Sequence, residues 1–385
     1  MWNLQLPRIQ PQFSLKSFQQ HQMCNVYSCS LFRYKIQFIS FFNQNNFQKI
    51  IIQFHFLLLV DQGLLKYDEK VAKYWPEFAQ NGKENITLEQ VLRHEGGLAR
   101  IKPEITRNMF QRESIKQNVI GEIIEKQSPK WGKKSTREYH AGTRGYILNE
   151  IVRRVDPQQR TIGEILKQEF TDKIDADIYI GVPKEKMKQC VDLIFSISTN
   201  PLWAYAHSIW PNRFGAKVIV NPFIQMILHY WTNLTKKIDF NSESLRTGEA
   251  PSFNGQGSAR GLAKLGNLLV QNGKLNGKQF ISQKTLDEFH SEPIQKFDNM
   301  TRSITNFNKG GNCLYDENHN NRASFDKDGF VGWQGMGGSV MNWQPKKQIA
   351  FSYVPNLMDT DMQNVKGFRL RAQLVKIIND LEKKQ

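Results

Sequence analysis

The spacing of hydrophobic residues predicts a mostly helical middle of the chain, roughly from residue 46 to residue 290. Residues 144–155 place apolar side chains three and four positions apart, which is typical of a helix that is buried on one face. Residues 258–277 repeat this pattern, with Ser258 as the expected N-cap and Gly273 as the expected stop. Two amphipathic helices therefore follow from the pattern alone.

An apolar run at 50–60, IIIQFHFLLLV, predicts a buried helix that ends near Gly63. The run is shorter than the ~20 residues that a helix needs to span a bilayer. The segment after it is expected to be a loop that is closed by Trp75 and the proline that follows. Thr87, with Gln90 three residues later, predicts a capping box at the start of the next helix.

The pattern changes near the end of the chain. Residues 337–343 (GGSVMNW) and 348–354 (QIAFSYV) are typical of two β-strands that are joined by a four-residue turn. Residues 368–383 have the spacing of an amphipathic helix. The part from 291 to 385 is therefore predicted to form a sheet with a covering helix.

Charge and composition change this picture little. The 385 residues, of which 39% are apolar, are enough to bury a large core. The net charge is +16, but the densest basic clusters, at 130–137 and 184–188, are short and lack the interleaved aromatic residues of a nucleic-acid stacking surface. A basic, solvated surface is therefore preferred to nucleic-acid binding.

Cysteine spacing indicates neither a metal site nor a disulfide framework. Cys24, Cys29, Cys190 and Cys313 are predicted to be free thiols in a reducing compartment. Spacings of His and Asp that are typical of zinc sites are also absent, so no metal or cofactor is expected.

The first residues differ from the rest in composition. Residues 1–60 contain no Asp, Glu or Gly, although the whole chain has 36 acidic residues and 26 glycines. An acid-poor segment with scattered Arg and Lys is typical of a mitochondrial transit peptide. The abundance of Gln fits a mistranslated or wrongly spliced N-terminus equally well. Residues 1–45 are therefore predicted to be an atypical leader of one of these kinds, and a cytoplasmic and a mitochondrial location both fit.

Several segments, in the same order, resemble the serine β-lactamase and penicillin-binding-protein superfamily. Residues 57–78 and 87–98 (TLEQVLRHEGGL) are similar to the region after its catalytic helix. Residues 139–155 (YHAGTRGYILNEIVRRV) resemble its tyrosine motif, and 332–343 (GWQGMGGSVMNW) resemble its third motif at the sheet edge. Together they extend over most of 46–383. The resemblance is strongest to the class C β-lactamase-related and esterase-like branch, which includes eukaryotic β-lactamase-like proteins.

This resemblance implies an α+β fold over residues 46–385. A helical lobe (about 46–290) would lie beside an antiparallel sheet flanked by helices (about 291–385). It also implies a serine hydrolase, in which a Ser-x-x-Lys pair opens a helix, a tyrosine acts as general base, and the serine is acylated and then hydrolysed. Two backbone N–H groups would hold the oxyanion.

Only part of the catalytic set is carried over. Lys49 stands where the motif lysine is expected, but the serine position is Asn46. Tyr139 matches the general base. Ala141 stands where β-lactamases usually have Asn, which is more similar to the esterase branch and puts β-lactam turnover in doubt. Met336 would supply the second oxyanion N–H.

The third motif and two histidines allow alternatives. Trp333 and Gly335 belong to a Trp-Gln-Gly stretch that stands where Lys-Thr-Gly or His-x-Gly is usual, so the cation that binds a substrate carboxylate is absent. His140 is either a residue that lines the pocket or a structural histidine. His94 is expected to pack or to form a hydrogen bond beneath the site.

Asn46 leaves two explanations open. A carboxamide has no ionisable hydroxyl and cannot form the acyl-enzyme, so this chain is either a pseudoenzyme or carries a leader that is not its true N-terminal part. Asn46 also suits a simple helix N-cap, and Lys49 suits a solvated first helical turn.

The resulting function hypothesis is a β-lactamase-related serine hydrolase that acts on a small ester or amide. The alternative is a catalytically inactive protein of the same fold that binds a ligand or a partner. Neither nucleic-acid binding nor a transmembrane segment is expected, and the oligomeric state does not follow from the sequence.

Overall fold

The computed structural model describes residues 47–131, 136–195, 239–301, 303–314, 329–335, 338–358 and 365–384. The leader at 1–45, together with Cys24 and Cys29, lies outside this part of the chain. In the described part, no helix is both long and apolar enough to cross a membrane.

Helix α1 (Phe47–Asp61) contains the apolar run that was predicted to be buried. The side chains at 50–57 have no solvent exposure. The helix ends as expected, because Gly63 adopts a φ of 73° and donates its N–H to Val60 O at 2.9 Å. This left-handed conformation suits a glycine after a helix. The helix packs against the tyrosine-motif helix and against the sheet.

The other helices in the first half of the chain are short, except for α6, which has 13 residues. The expected loop before Trp75 contains one of them, because a residue before proline ends a helix but does not prevent one further upstream. All helices after α1 in the described residues are α2 (Val71–Tyr74), α3 (Leu88–Leu92), α4 (Arg112–Lys116), α5 (Val119–Glu125), α6 (Thr143–Val155), α7 (Ile162–Ile165), α8 (Asp172–Ile174), α9 (Glu243–Thr247), α10 (Ala259–Val270), α11 (Gln283–His290) and α12 (Val365–Glu382). There are also 3₁₀ turns at Pro76–Phe78, Arg107–Phe110 and Lys184–Gln189 and a π turn at Leu166–Thr171.

Two predicted helix starts are confirmed. The Thr87 side chain accepts from Gln90 N, and the Gln90 side chain accepts from Thr87 N, so the capping box is formed. The Ser258 hydroxyl accepts from Gly261 N at 2.9 Å at the start of α10. At its other end the helix stops at Val270, and the predicted stop, Gly273 (φ 74°), turns the chain into a hairpin.

The sheet lies in the C-terminal third, as predicted. Its antiparallel strands follow the order β11-β10-β9-β8-β7-β6. They are β6 (Ile294–Asp298), β7 (Ser303–Phe307), β8 (Cys313–Leu314), β9 (Val331–Gln334), β10 (Val340–Gln344) and β11 (Ile349–Tyr353). Shorter pairs join β1 (Ile178–Tyr179) to β3 (Gln256–Gly257), β2 (Ile194–Phe195) to β12 (Leu357–Met358), and β4 (Lys274–Leu275) to β5 (Lys278–Gln279).

Helices cover both faces of this sheet, which makes the fold α+β. Ile349 packs with Val375 of α12, whereas its neighbour Ala350 faces α10. Adjacent residues of a strand point to opposite faces. Gly266 permits the close approach of α10, since a Cβ there would lie 3.1 Å from the Cβ of Ala350. The C-terminal amphipathic helix is thus confirmed, and it covers the face opposite α10.

The two cysteines of the described part are free thiols, as predicted. Desolvation raises the pKa of the Cys313 thiol to about 12. It also raises the pKa of Cys190. Both thiols are therefore protonated and unreactive at neutral pH.

A histidine joins α11 to the sheet and makes the fold sensitive to acid. Trp343 Nε1 donates to His290 Nε2 at 2.9 Å, and His290 Nδ1 lies 2.8 Å from Leu286 O. The carbonyl can only accept, so Nδ1 carries the proton and the ring is neutral. Desolvation lowers the pKa of His290 below its ordinary 6.5.

We expect stability to decline as the pH falls below about 6.5, because the unfolded state then binds a proton that the folded ring cannot accept without losing Trp343. The advantage of the wild type over His290→Gln in urea unfolding should shrink between pH 7.5 and pH 5.5, by up to about 1 kcal/mol. The Lys284→Gln variant, at an exposed position of the same helix, serves as a control, with a difference that does not depend on pH in this way. An advantage that grows on acidification would contradict the assignment.

Candidate active site

His94 is the centre of an aromatic cluster at the junction between the helical lobe and the sheet. It follows α3 with a φ of 64°, in the left-handed region. Its ring centroid lies 4.8 Å from that of Tyr139 and 5.7 Å from those of Trp333 and Phe307. Rings at these distances pack in offset or edge-on arrangements, which fixes their mutual orientation.

The same histidine holds the segment that presents Tyr139. His94 O accepts from Glu138 N at 3.1 Å, and His94 Nδ1 accepts from His140 N at 3.0 Å. These two bonds lie on either side of Tyr139. The ring of Tyr139 itself is half-buried. His94 therefore positions the tyrosine backbone from beneath, which is the role expected for it.

His140 faces the backbone. Its Nε2 accepts from Leu98 N at 3.0 Å, and its Nδ1 lies 2.6 Å from Glu138 O. The side chain is fully buried. Because each ring nitrogen already has a backbone partner, this geometry favours the structural alternative over a residue that lines the pocket.

Trp333 forms a wall beside Tyr139. Its ring stacks on Phe307 at 5.3 Å with an interplanar angle of 22°, and its centroid lies 6.4 Å from that of Tyr139. Only 7% of the residue is exposed. Trp333, which by resemblance stands where the third motif usually has a cation, is thus an aromatic side chain that is packed inward.

A cation lies behind this wall. The Arg144 guanidinium carbon lies 5.3 Å from the centroid of the Trp333 ring, and Arg144 Nη1 donates to Leu92 O at 2.9 Å. The side chain is fully buried, and burial lowers its pKa to about 9. Arg144 is therefore still charged at neutral pH, but it is enclosed by the protein and faces the tryptophan.

The strand that carries Trp333 ends in a tight glycine turn. Gly335 N donates to Ser339 O at 2.7 Å, and Gly338 N donates to Gly335 O at 3.1 Å. Gly338 has a φ of 98°, which favours glycine. The expected oxyanion donor, Met336, lies outside the described residues.

The nucleophile end of the site is only partly described. Lys49 belongs to the first turn of α1, but its side chain and the whole of Asn46 lie outside the described part. Ala141 is partly buried in the turn between Tyr139 and α6. The structure thus brings Tyr139 and Trp333 together, with Ala141 and Gly335 beside them in the chain.

Sequence reasoning missed Phe307, Arg144 and the supports of the tyrosine segment described below. Arg144 left a signal, because it shares the buried face of α6 with Ile147 and Ile151, and a charged residue on such a face needs a reason. Phe307 left none, since nothing local distinguishes it from any other apolar strand residue. Within the described residues, no group of three or more His, Cys, Asp or Glu side chains is arranged to hold a metal ion.

The family model described as Beta-lactamase matches residues 55–376. The matched region begins after Asn46 and Lys49. It includes Tyr139 and the whole third motif.

One sequence relative is the esterase/beta-lactamase LipL of Mycobacterium tuberculosis. It is 23% identical over 312 residues, which are 77% of this chain and 65% of that protein. The chain thus spans a little under two thirds of the length of this relative.

Two solved structures share the fold. A penicillin-binding-protein homologue from Caulobacter crescentus superposes with a TM-score of 0.65 at 24% identity, covering 85% of this chain and 81% of that one. A family VIII carboxylesterase gives a TM-score of 0.67 at 24% identity, covering 86% and 83%. At this level of identity, the two structures establish the fold.

Proposed function

The chain belongs to the Beta-lactamase family, and from this premise we propose that it hydrolyses small esters or amides through an acyl-enzyme. The observation that carries the proposal is the placement of Tyr139. Its ring is half-buried between His94 and Trp333, on a segment that backbone hydrogen bonds hold on both sides. A general base needs such a fixed position, partly open to solvent and substrate.

The reaction follows from the roles that the family resemblance assigns. Tyr139 takes the proton of a serine hydroxyl, which the proposal requires at the position that Asn46 occupies in this sequence, as that oxygen attacks the acyl carbon. It then returns the proton to the leaving alcohol or amine. Water then attacks the acyl-enzyme by the same route and releases the acid. Lys49 favours the deprotonated forms of its neighbours, and the N–H of Met336 and the N–H at the nucleophile bind the oxyanion.

Asn46 favours a second candidate, a non-catalytic protein that binds a ligand or a partner. A fluorophosphonate probe separates the two proposals, because it forms a stable bond only with an activated hydroxyl. We expect a single labelled serine, located by peptide mapping, and slower labelling of Tyr139→Phe. Absence of label on folded protein would reject the hydrolase and leave the binding protein.

Trp333 indicates the substrate class within this proposal. A carboxylate on the acyl group would be desolvated against an aromatic wall, which costs free energy without a cation to offset it. We therefore expect neutral acyl groups to be preferred.

This preference can be measured with two esters of similar size. We expect kcat/KM for p-nitrophenyl butyrate to exceed that for p-nitrophenyl hemisuccinate by at least about tenfold, which corresponds to about 1.4 kcal/mol. The ratio of their spontaneous hydrolysis rates is the control for intrinsic reactivity. Equal values after this correction would show that another cation compensates for the loss of the motif lysine.

A further inference from the structure

The tip of the β6–β7 hairpin is docked onto the segment that carries Tyr139. The hairpin lies at the edge of the sheet, and Asp298 is the last residue of β6. Asp298 also forms an isolated parallel bridge with Arg137, two residues before the tyrosine. The tyrosine segment thus pairs with the edge strand β6 at a single position.

Asp298 is the residue through which this contact reaches Tyr139. Its Oδ1 accepts from the N–H of Tyr139 at 3.3 Å, and also from the N–H groups of Met300 at 2.9 Å and Thr301 at 3.0 Å. The last two bonds close the hairpin turn around the carboxylate. One oxygen atom therefore binds both the turn and the backbone of the candidate general base.

The carboxylate is well placed to hold a fixed geometry. Asp298 is fully buried, so its hydrogen bonds do not compete with water. Burial raises the pKa of this carboxyl, and the hydrogen bonds from Thr301 and Met300 together with the charge of Arg137 oppose that shift. In the charged form, the carboxylate accepts stronger hydrogen bonds from N–H groups than a neutral carbonyl does. Its neighbour Asn299 adds two contacts, because the backbone N–H and the side-chain amide both donate to Arg137 O, at 2.9 and 3.1 Å.

Arg137 fixes the other end of the same segment. Its guanidinium pairs with Glu95 Oε1 at 2.7 Å and donates to Thr305 O at 2.7 Å and to Ile294 O at 3.2 Å. Glu138 and His140, on either side of Tyr139, both donate their backbone N–H groups to His94. Among these contacts, the tyrosine's own N–H is bound by the hairpin alone.

We propose that Asp298 is a positioning residue for Tyr139, which holds the backbone of the general base through the hairpin turn and thereby sets the reach of its hydroxyl. This inference rests on the proposed function for its catalytic consequence. The positioning itself is a property of the fold. A displacement of a catalytic group by about 1 Å can cost about 100-fold in rate.

The activity test compares three variants. Asp298→Ala removes the acceptor and is expected to lower kcat for p-nitrophenyl butyrate by about 100-fold, with KM changed by less than about twofold. Asp298→Asn keeps a carbonyl acceptor and should recover most of the loss. Ser303→Ala removes the hydroxyl contact of Thr301 within the same turn, without touching the tyrosine segment, and should retain activity. Equal losses in Ser303→Ala would mean a merely structural role.

A second readout does not depend on catalysis. We expect 3-fluorotyrosine at position 139 to give one narrow ¹⁹F resonance in the wild type, in Asp298→Asn and in Ser303→Ala. In Asp298→Ala the resonance should broaden or split. An unchanged resonance would overturn the positioning role, whatever the activity. If the wild type hydrolyses no ester and takes no probe, the proposed function fails and the ¹⁹F result still decides this inference.

Hydrogen exchange covers the case in which Asp298→Ala does not fold. The neutral carbonyl of Asp298→Asn is a weaker acceptor than the carboxylate. The amide of Tyr139 should therefore exchange at least about tenfold faster in this variant than in the wild type, whereas the amide of Asn342, on β10, should be unaffected. Equal exchange at Tyr139 would overturn the proposal.

Discussion

Tyr139→Phe is expected to lower kcat/KM for a neutral ester by about 10² to 10⁴-fold, with little change in stability. The substitution removes only the hydroxyl that would carry the proton. The ring remains against His94 and Trp333, whose centroids lie 4.8 and 6.4 Å away. Because the general base acts in the transition state, the loss should fall mainly on kcat.

The matched control is Tyr179→Phe, a partly buried tyrosine on β1, which should retain activity. Steady-state kinetics with p-nitrophenyl butyrate and urea unfolding of both variants measure the two effects separately. A Tyr139→Phe variant with wild-type kcat would remove the tyrosine from the mechanism and leave Lys49 as the candidate base.

Arg137→Met is expected to lower the free energy of unfolding by about 3 to 5 kcal/mol. The arginine is fully buried, and its guanidinium lies over the ring of Phe307 at 4.7 Å while it pairs with Glu95. Methionine fills most of the volume but leaves the buried Glu95 with less compensation and Thr305 O without its donor. Because Glu95 and Thr305 O stay buried without this partner, the loss of stability should be large.

Lys73→Met is the control for the loss of an ion pair as such. Its pair with Glu69 at 2.6 Å is exposed, with 56% of the lysine side chain accessible, so its loss should change stability far less than the loss of Arg137. Urea unfolding followed by far-UV circular dichroism measures both variants. The Lys296 pair with Glu95 remains in Arg137→Met. A loss below about 1 kcal/mol would show that this second cation is sufficient.

Tyr139→Phe and Arg137→Met test two different contributions to the candidate site. Tyr139 would act on the substrate, whereas Arg137 holds the chain from which Tyr139 projects. If Arg137→Met folds, its activity at low temperature should be reduced through kcat, since the tyrosine segment loses one of its anchors.

Local sequence patterns predicted the helices and strands well where their ends depend on contacts between residues that are close in the chain. The capping box of Thr87 and the glycine end of α1 at Gly63 follow from a few adjacent residues. The strands β10 and β11 follow from the two segments at 337–343 and 348–354 with a four-residue turn between them. The end of α10 also follows from a local signal, because the helix stops at Val270 and the predicted stop, Gly273, leads the chain into the β4–β5 hairpin.

The candidate site was accessible to sequence reasoning only through its motifs. Tyr139 and Trp333 are 194 positions apart in the chain, and no periodicity relates them. The family resemblance named both, but it did not indicate that Trp333 packs inward on Phe307 with Arg144 behind it. Those contacts arise from strand order and helix packing, which local spacing does not encode.

The sequence by itself determined the family, the α+β architecture and the residue types available for catalysis, including Tyr139, Trp333 and the asparagine at position 46. These properties are carried by side-chain identity and short-range spacing. Only the tertiary structure decided which groups support the tyrosine. Asp298 meets Tyr139 across 159 positions because the edge hairpin docks there. Contacts between distant segments depend on how whole elements pack, and that packing is set by the buried surface of the entire fold.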